Sequence, residues 1–151
     1  LDHFIRTYRS FQDTHGLATT TVYPGIHSLL DALAPIPLAV ASTKPTHRVV
    51  EHTRAMGLDH HFALLQGTPG PPYKPDPAVL HLVLDHFGAD PARSWMIGDQ
   101  ITDVQAGLAA GMHTIGVSYS ATTAAQHEEV GAQYVVADVV ELRAVLASIG
   151  A

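Results

Sequence analysis

The stretch Trp95-Met96-Ile97-Gly98-Asp99-Gln100-Ile101-Thr102-Asp103 couples a short apolar run to two carboxylates. Trp95, Met96 and Ile97 read as a short buried strand, and Gly98 permits a sharp turn where that strand ends. Asp99 then stands at the carboxyl end of the strand, where open α/β sheets place their ligands. Asp103 follows in the first turn of the next helix. Like charges this close repel one another. A hard cation between them relieves the repulsion, and magnesium takes a few carboxylate oxygens together with water and phosphate. The competing reading is that Asp99 caps the helix and Asp103 is simply solvated.

Composition narrows the classes of partner. A chain of 151 residues, 46% of them hydrophobic, can build one domain with a real core. No apolar run reaches membrane-spanning length and the first residues lack a signal-peptide pattern, so no membrane partner is expected. The absence of cysteine excludes disulfides and thiolate metal sites, and fits a cytoplasmic location. A net charge of −6 without a basic block argues against nucleic acid as a partner. The 11 histidines are scattered, and the adjacent pair His60-His61 reads as part of a solvated loop. Lysine occurs only as Lys44 and Lys74, each beside a proline. A compact ammonium can approach a phosphoryl oxygen as a point charge, which a guanidinium cannot do in the same way.

Taken in order, Leu1, Phe4, Ile5, Tyr8 and Phe11 follow the spacing of an amphipathic helix that Gly16 would end. The chain opens without methionine and already inside this pattern, so a preceding segment is expected. Residues 17–23 form a Thr-rich linker, and Pro24-Gly25 turns into a short helix carrying Ile26, Leu29, Leu30 and Leu33. Ile36 to Ala41 reads as a buried parallel strand that ends in Ser42-Thr43-Lys44-Pro45. A helix over 46–56 and a weaker strand over 62–65 follow. Residues 67–75 (GTPGPPYKP) are a turn-rich loop that delivers Lys74, and Asp76-Pro77 starts the next helix. Beyond Asp103 come a small-residue helix, strands at 113–117 and 133–136, and helices at 122–130 and 138–148.

Strands alternating with helices at this spacing specify a parallel sheet covered on both faces. Ser42, Lys74 and Asp99 then converge on one sheet edge. Hydroxyl, ammonium and paired carboxylates suit phosphoryl transfer: one hydrogen-bonds an oxygen, one neutralises charge, and the pair holds a metal. Neither GxGxxG nor GxxxxGK[ST] is present, which disfavours a dinucleotide site or a nucleotide-cradling P-loop.

The series LAVASTKP, YKPDPAVL and WMIGDQITDVQAGLAAGM resembles the second, third and fourth motifs of the haloacid dehalogenase superfamily, in its phosphoglycolate-phosphatase-like branch. HTIGVSYS and GAQYVVADVVEL are similar to the last strands of that branch, so the likeness covers about residues 24–148. It implies a three-layer, Rossmann-like α/β fold built on a parallel sheet. Residues 1–20 would be the last helix of a helical cap with its linker, and residues 21–151 the core. It also implies a phosphomonoester hydrolase that uses Mg2+ and an aspartyl-phosphate intermediate, with a small phosphorylated metabolite as substrate. Carried over by residue, Ser42 with Thr43 beside it would bind the phosphoryl group and Lys74 would bridge phosphoryl and nucleophile. Asp99 would ligate magnesium, and Asp103 would ligate it or orient it through water. Gly98-Asp99 departs from the metal-free dehalogenases, which resemble Ser-Asn here.

One departure is large. The family's first motif, DxDxT, supplies the nucleophile, and no Asp-x-Asp occurs in these residues. In the family that motif ends a strand lying between the ones that end here at Ser42 and Asp99. Without it, two unpaired edges would face each other in the core, at about 1–3 kcal/mol for each unsatisfied group. The expectation is therefore a portion of a longer protein, inactive by itself. Two alternatives stay open: a non-catalytic binding module that keeps the metal pocket, or a sugar phosphomutase or phosphonate hydrolase of the same family.

Overall fold

The structure, a computed structural model, describes residues 20–119 and 122–150. The expected cap helix over residues 1–15 lies outside them. Six helices and five strands alternate through the described chain: α1 (Ile26–Ala32), β1 (Ala39–Ala41), α2 (Thr46–Ala55), β2 (Leu64–Gln66), α3 (Ala78–Phe87), β3 (Trp95–Gly98), α4 (Ile101–Ala109), β4 (His113–Val117), α5 (Ala124–Glu129), β5 (Tyr134–Val136) and α6 (Val139–Ser148). All strand pairs are parallel. This is the alternation and strand direction that the apolar periodicity predicts.

The period-two pattern of β4 sorts the layers. Ile115 and Val117 turn to one face, where Leu29 and Leu33 of α1 and Val139, Leu142 and Leu146 of α6 close a core with Val136. Thr114 and Gly116 turn to the other face. There His127 of α5 lies so close to Gly116 that a Cβ on the glycine would meet the imidazole at 2.5 Å. The second core holds Val79, Leu80 and Leu84 of α3 against Met96 of β3 and Ala106 and Ala110 at α4. Helices thus cover both faces of the strands.

The strands fall into two pieces. Among the described residues β1 pairs with β2 alone, while β3, β4 and β5 form a separate three-stranded group in that order. Among the described residues, no main-chain ladder joins β1 to β3. The division falls between the strands ending at Ser42 and Asp99. Contact across it comes from α3, which packs on β1 and β2 and shares its core with Met96 of β3.

Two readings of burial change as a result. The run Ile36–Ala41 is not a fully buried strand: only Ala39–Ala41 is extended into β1, and all three residues are half-buried. Its ladder is no longer than that of β2, and β1 has no second described neighbour to cover its far edge. Ile97 of β3 is likewise 37% exposed rather than buried. The His60-His61 reading needs a third correction. These residues end a single 3-10 turn, Asp59–His61, and the His61 side chain is only 6% exposed, packed 3.8 Å from the Asp31 carboxylate.

Candidate active site

The carboxyl ends of β1 and β3 carry the side chains that the sequence singles out. The turn Ser42-Thr43-Lys44-Pro45 leaves β1 and starts α2, whose first residue is Thr46. Ser42 continues the β1–β2 ladder by donating its N–H to the Gln66 carbonyl at 3.0 Å. Its Oγ accepts the Lys44 N–H at 3.1 Å. One of its two lone pairs is so used, and no described residue accepts the hydroxyl hydrogen. Lys44 itself is exposed at the rim.

Lys74 reaches the same place from the proline-rich loop before α3. The helix starts one residue later than expected, with Pro77 rather than Asp76 at the N-cap, although the Asp76 carboxylate still accepts the Ala78 N–H at 2.9 Å. The Lys74 ammonium donates to the Ala41 carbonyl at 3.0 Å and lies 2.6 Å from Asp103 Oδ1. In β1 the Ser42 N–H faces β2, so backbone alternation turns the Ala41 carbonyl to the opposite, unpaired edge. Lys74 therefore ties the unpaired edge of β1 to the first turn of α4, the helix that follows β3.

Asp103 sits at the third residue of α4 and is 6% exposed. Its second oxygen accepts the Gln100 N–H at 3.1 Å, which closes the first turn of the helix. The solvated alternative for Asp103 is thereby set aside. Gly98 is needed for a reason the sequence did not reveal. Its φ is not positive, and an added Cβ would fall 2.2 Å from Asp103 Cβ. The glycine makes room for the carboxylate rather than turning the chain.

Asp99 is exposed, and its Oδ2 accepts from Gln100 Nε2 at 3.2 Å. Tyr119 follows β4 by two residues. Burial pushes the Tyr119 phenol above its ordinary pKa, with smaller contributions from Tyr23 and from the Asp99 and Asp138 carboxylates. Tyr23 packs edge-on against it at 4.7 Å and donates its hydroxyl to the Tyr119 carbonyl. Nothing in the local sequence marks Tyr119; only its place after a strand could have suggested it.

The structure thus joins Lys74 to Asp103 and to the end of β1, while Ser42 and Thr43 follow β1 and Asp99 follows β3. Carboxylates are the hard oxygen donors that magnesium takes, and Asp99 with Asp103 fit its usual quota of one or two. Among the described residues there is no group of three or more histidines and carboxylates placed to hold a metal. No described helix is long and apolar enough to cross a membrane.

A model of the haloacid dehalogenase-like hydrolase family matches residues 1–117. The chain is 37% identical over 101 residues to a phosphoglycolate phosphatase of Haemophilus influenzae, covering 65% of this chain and 45% of that protein. It is 35% identical over 122 residues to the phosphoglycolate phosphatase of Psychrobacter arcticus, covering 79% and 53%. The chain therefore spans about half the length of these curated relatives. Among solved structures, a protein titled a predicted phosphoglycolate phosphatase, from Haemophilus somnus, superposes with a TM-score of 0.85. The identity is 26%, over 95% of this chain and 65% of that one. A haloacid dehalogenase-like hydrolase from Streptococcus pneumoniae superposes at 0.89 with 22% identity, over 96% and 69%, and shares the fold.

Proposed function

This chain belongs to the haloacid dehalogenase-like hydrolase family, and on that premise we propose that it is the core of a magnesium-dependent phosphomonoester hydrolase. The observation that carries the proposal is the meeting of Lys74 with Asp103 at the open edge of β1, beside the Ser42 hydroxyl and Asp99. The substrate is a small phosphorylated metabolite, and the relatives' names make phosphoglycolate the first compound to try. A cytoplasmic location and residues 1–20 as cap helix and linker, with residues 21–151 as core, belong to the same proposal.

In this reading the Ser42 hydroxyl donates to an oxygen of the transferring phosphoryl group, and the Thr43 N–H lies beside it. Lys74 neutralises charge that builds between nucleophile and phosphoryl, where a preorganised cation is most effective. Asp99 and Asp103 would hold magnesium, which when bound offsets the negative charge of the phosphoryl oxygens. The nucleophile is an aspartate that these residues do not include, since they contain no Asp-x-Asp. Its attack on phosphorus would break the ester P–O bond, release the alcohol and form an aspartyl-phosphate, which water then hydrolyses to inorganic phosphate and the free carboxylate. One rival reading is a non-catalytic binding module that keeps the pocket and holds phosphate without turning it over.

The test uses the longest native form of the protein, depleted of metal with EDTA and restored with magnesium. Hydrolysis of a phosphomonoester is expected only after restoration. Asp99→Asn is expected to abolish it, and Asp103→Asn to raise the magnesium concentration needed for half-activation. Full activity of Asp99→Asn would overturn the metal assignment. Phosphate binding without any turnover would favour the binding module.

A further inference from the structure

Directly after β2, Gly67 and Thr68 lie beneath the turn that carries Ser42. Thr68 is 6% exposed and sits in a loop whose neighbours are mostly open to solvent. In the parallel register of β1 and β2, the rung after Ser42 N–H to Gln66 carbonyl would run from the Thr68 N–H to the Ser42 carbonyl. That N–H has moved on and donates to the Lys44 carbonyl at 2.9 Å. The Thr68 hydroxyl takes its place and donates to the Ser42 carbonyl at 2.8 Å.

Gly67 allows this approach. A Cβ there would fall 2.3–2.6 Å from the Thr46 nitrogen, the Lys44 carbonyl oxygen and the Pro45 carbonyl carbon. Its N–H donates to Thr46 Oγ1 at 3.2 Å. Residues 66–68 therefore bind the turn at Ser42, Lys44 and Thr46.

The consequence for the site follows from peptide geometry. In a trans peptide the carbonyl and the N–H point in opposite directions. Holding the Ser42 carbonyl toward β2 turns the Thr43 N–H toward the other edge of β1, where the Ala41 carbonyl meets the Lys74 ammonium. No described residue accepts from the Thr43 N–H.

We propose that Thr68 is a positioning residue: through the Ser42 carbonyl, its hydroxyl sets the plane of the Ser42–Thr43 peptide and aims the Ser42 hydroxyl and the Thr43 N–H at an incoming phosphoryl group. The inference rests on the functional reading above, in that it requires a phosphate-bearing ligand at this turn. Thr68 touches no substrate itself.

The experiment compares wild type, Thr68→Val, Thr68→Ala and Thr68→Ser in the longest native form of the protein. Inorganic phosphate binding is measured by calorimetry, kcat and KM with an aryl phosphate, and the melting temperature for each. Loss of the hydroxyl in Thr68→Val is expected to weaken phosphate binding and lower kcat/KM by roughly tenfold or more, since small misplacements of binding groups cost at least that much. Half-activation by magnesium is expected to be unmoved, and Thr68→Ser to restore phosphate affinity. Should Thr68→Val fail to fold, Thr68→Ala decides by the same measures. Phosphate affinity and kcat/KM within twofold of wild type in a folded Val or Ala variant would overturn the inference alone. So would a folded Thr68→Ser that is as impaired as they are. A wild type that neither binds phosphate nor hydrolyses the ester would overturn the functional reading, and the inference with it.

Discussion

Lys74 and Asp103 form an ion pair of 2.6 Å, with each side chain less than one-tenth exposed, between a loop that precedes α3 and the first turn of α4. A buried pair of this kind is costly to break, because the surviving partner is left as an uncompensated charge. Through the same ammonium, which also donates to the Ala41 carbonyl, it links β1 to the first turn of α4.

Lys74→Ala is accordingly expected to act twice. Stability should fall by about 3–5 kcal/mol in denaturant unfolding, because Asp103 keeps its charge and loses its partner. The drop in kcat/KM should correspond to about 3–4 kcal/mol, the scale for a lost electrostatic donor. Lys44→Ala, at an exposed rim position, should stay within about 0.5 kcal/mol in stability. A reversed order of the two lysines in turnover would show that the wrong one has been assigned.

Gly98→Ala tests the close approach at the end of β3. The new methyl would collide with Asp103, so the carboxylate must shift away from Lys74 or the helix must move. Overpacking of this kind costs roughly 1–3 kcal/mol. The melting temperature should fall and the magnesium requirement should rise together. A variant that keeps both would mean that the first turn of α4 yields freely.

Tyr119 gives a pH signature. Its folded-state pKa is raised, chiefly by burial, then by Tyr23, Asp99 and Asp138. The associated stability is therefore fully present below the unfolded tyrosine value near 10 and is lost as pH rises through the higher folded value. Thermal unfolding followed from about pH 9 upward should show an alkaline loss that Tyr119→Phe reduces. Asp99→Asn should lower the ultraviolet titration midpoint of this phenol. An unchanged midpoint would place Asp99 too far away to be felt.

The unpaired edges of β1 and β3 bear on folding. Each edge presents backbone groups without a described ladder partner, and such groups favour pairing with another strand. Residues 1–151 alone are expected to aggregate or to unfold without cooperativity, and to be inactive. The same chain with any native sequence preceding Leu1 is expected to unfold cooperatively and to be active with magnesium. A monomeric, cooperatively folded and active 151-residue form would reveal a nucleophile among these residues.

The sequence alone carried the element order, because helix and strand periodicities and their stop signals are local. The strand ends at Ser42 and Asp99 and the loop delivering Lys74 were legible for that reason, as was the parallel α/β class. Three motifs in order were enough for the family. Long-range proximity was not legible. That Lys74 meets Asp103, that Gly98 serves by lacking a side chain, and that Thr68 completes a ladder rung depend on segments far apart in the chain. Burial of Ile97 and of β1 was misjudged because an apolar pattern records what a strand is suited to bury. Which neighbours cover it is decided by the tertiary arrangement of the whole sheet.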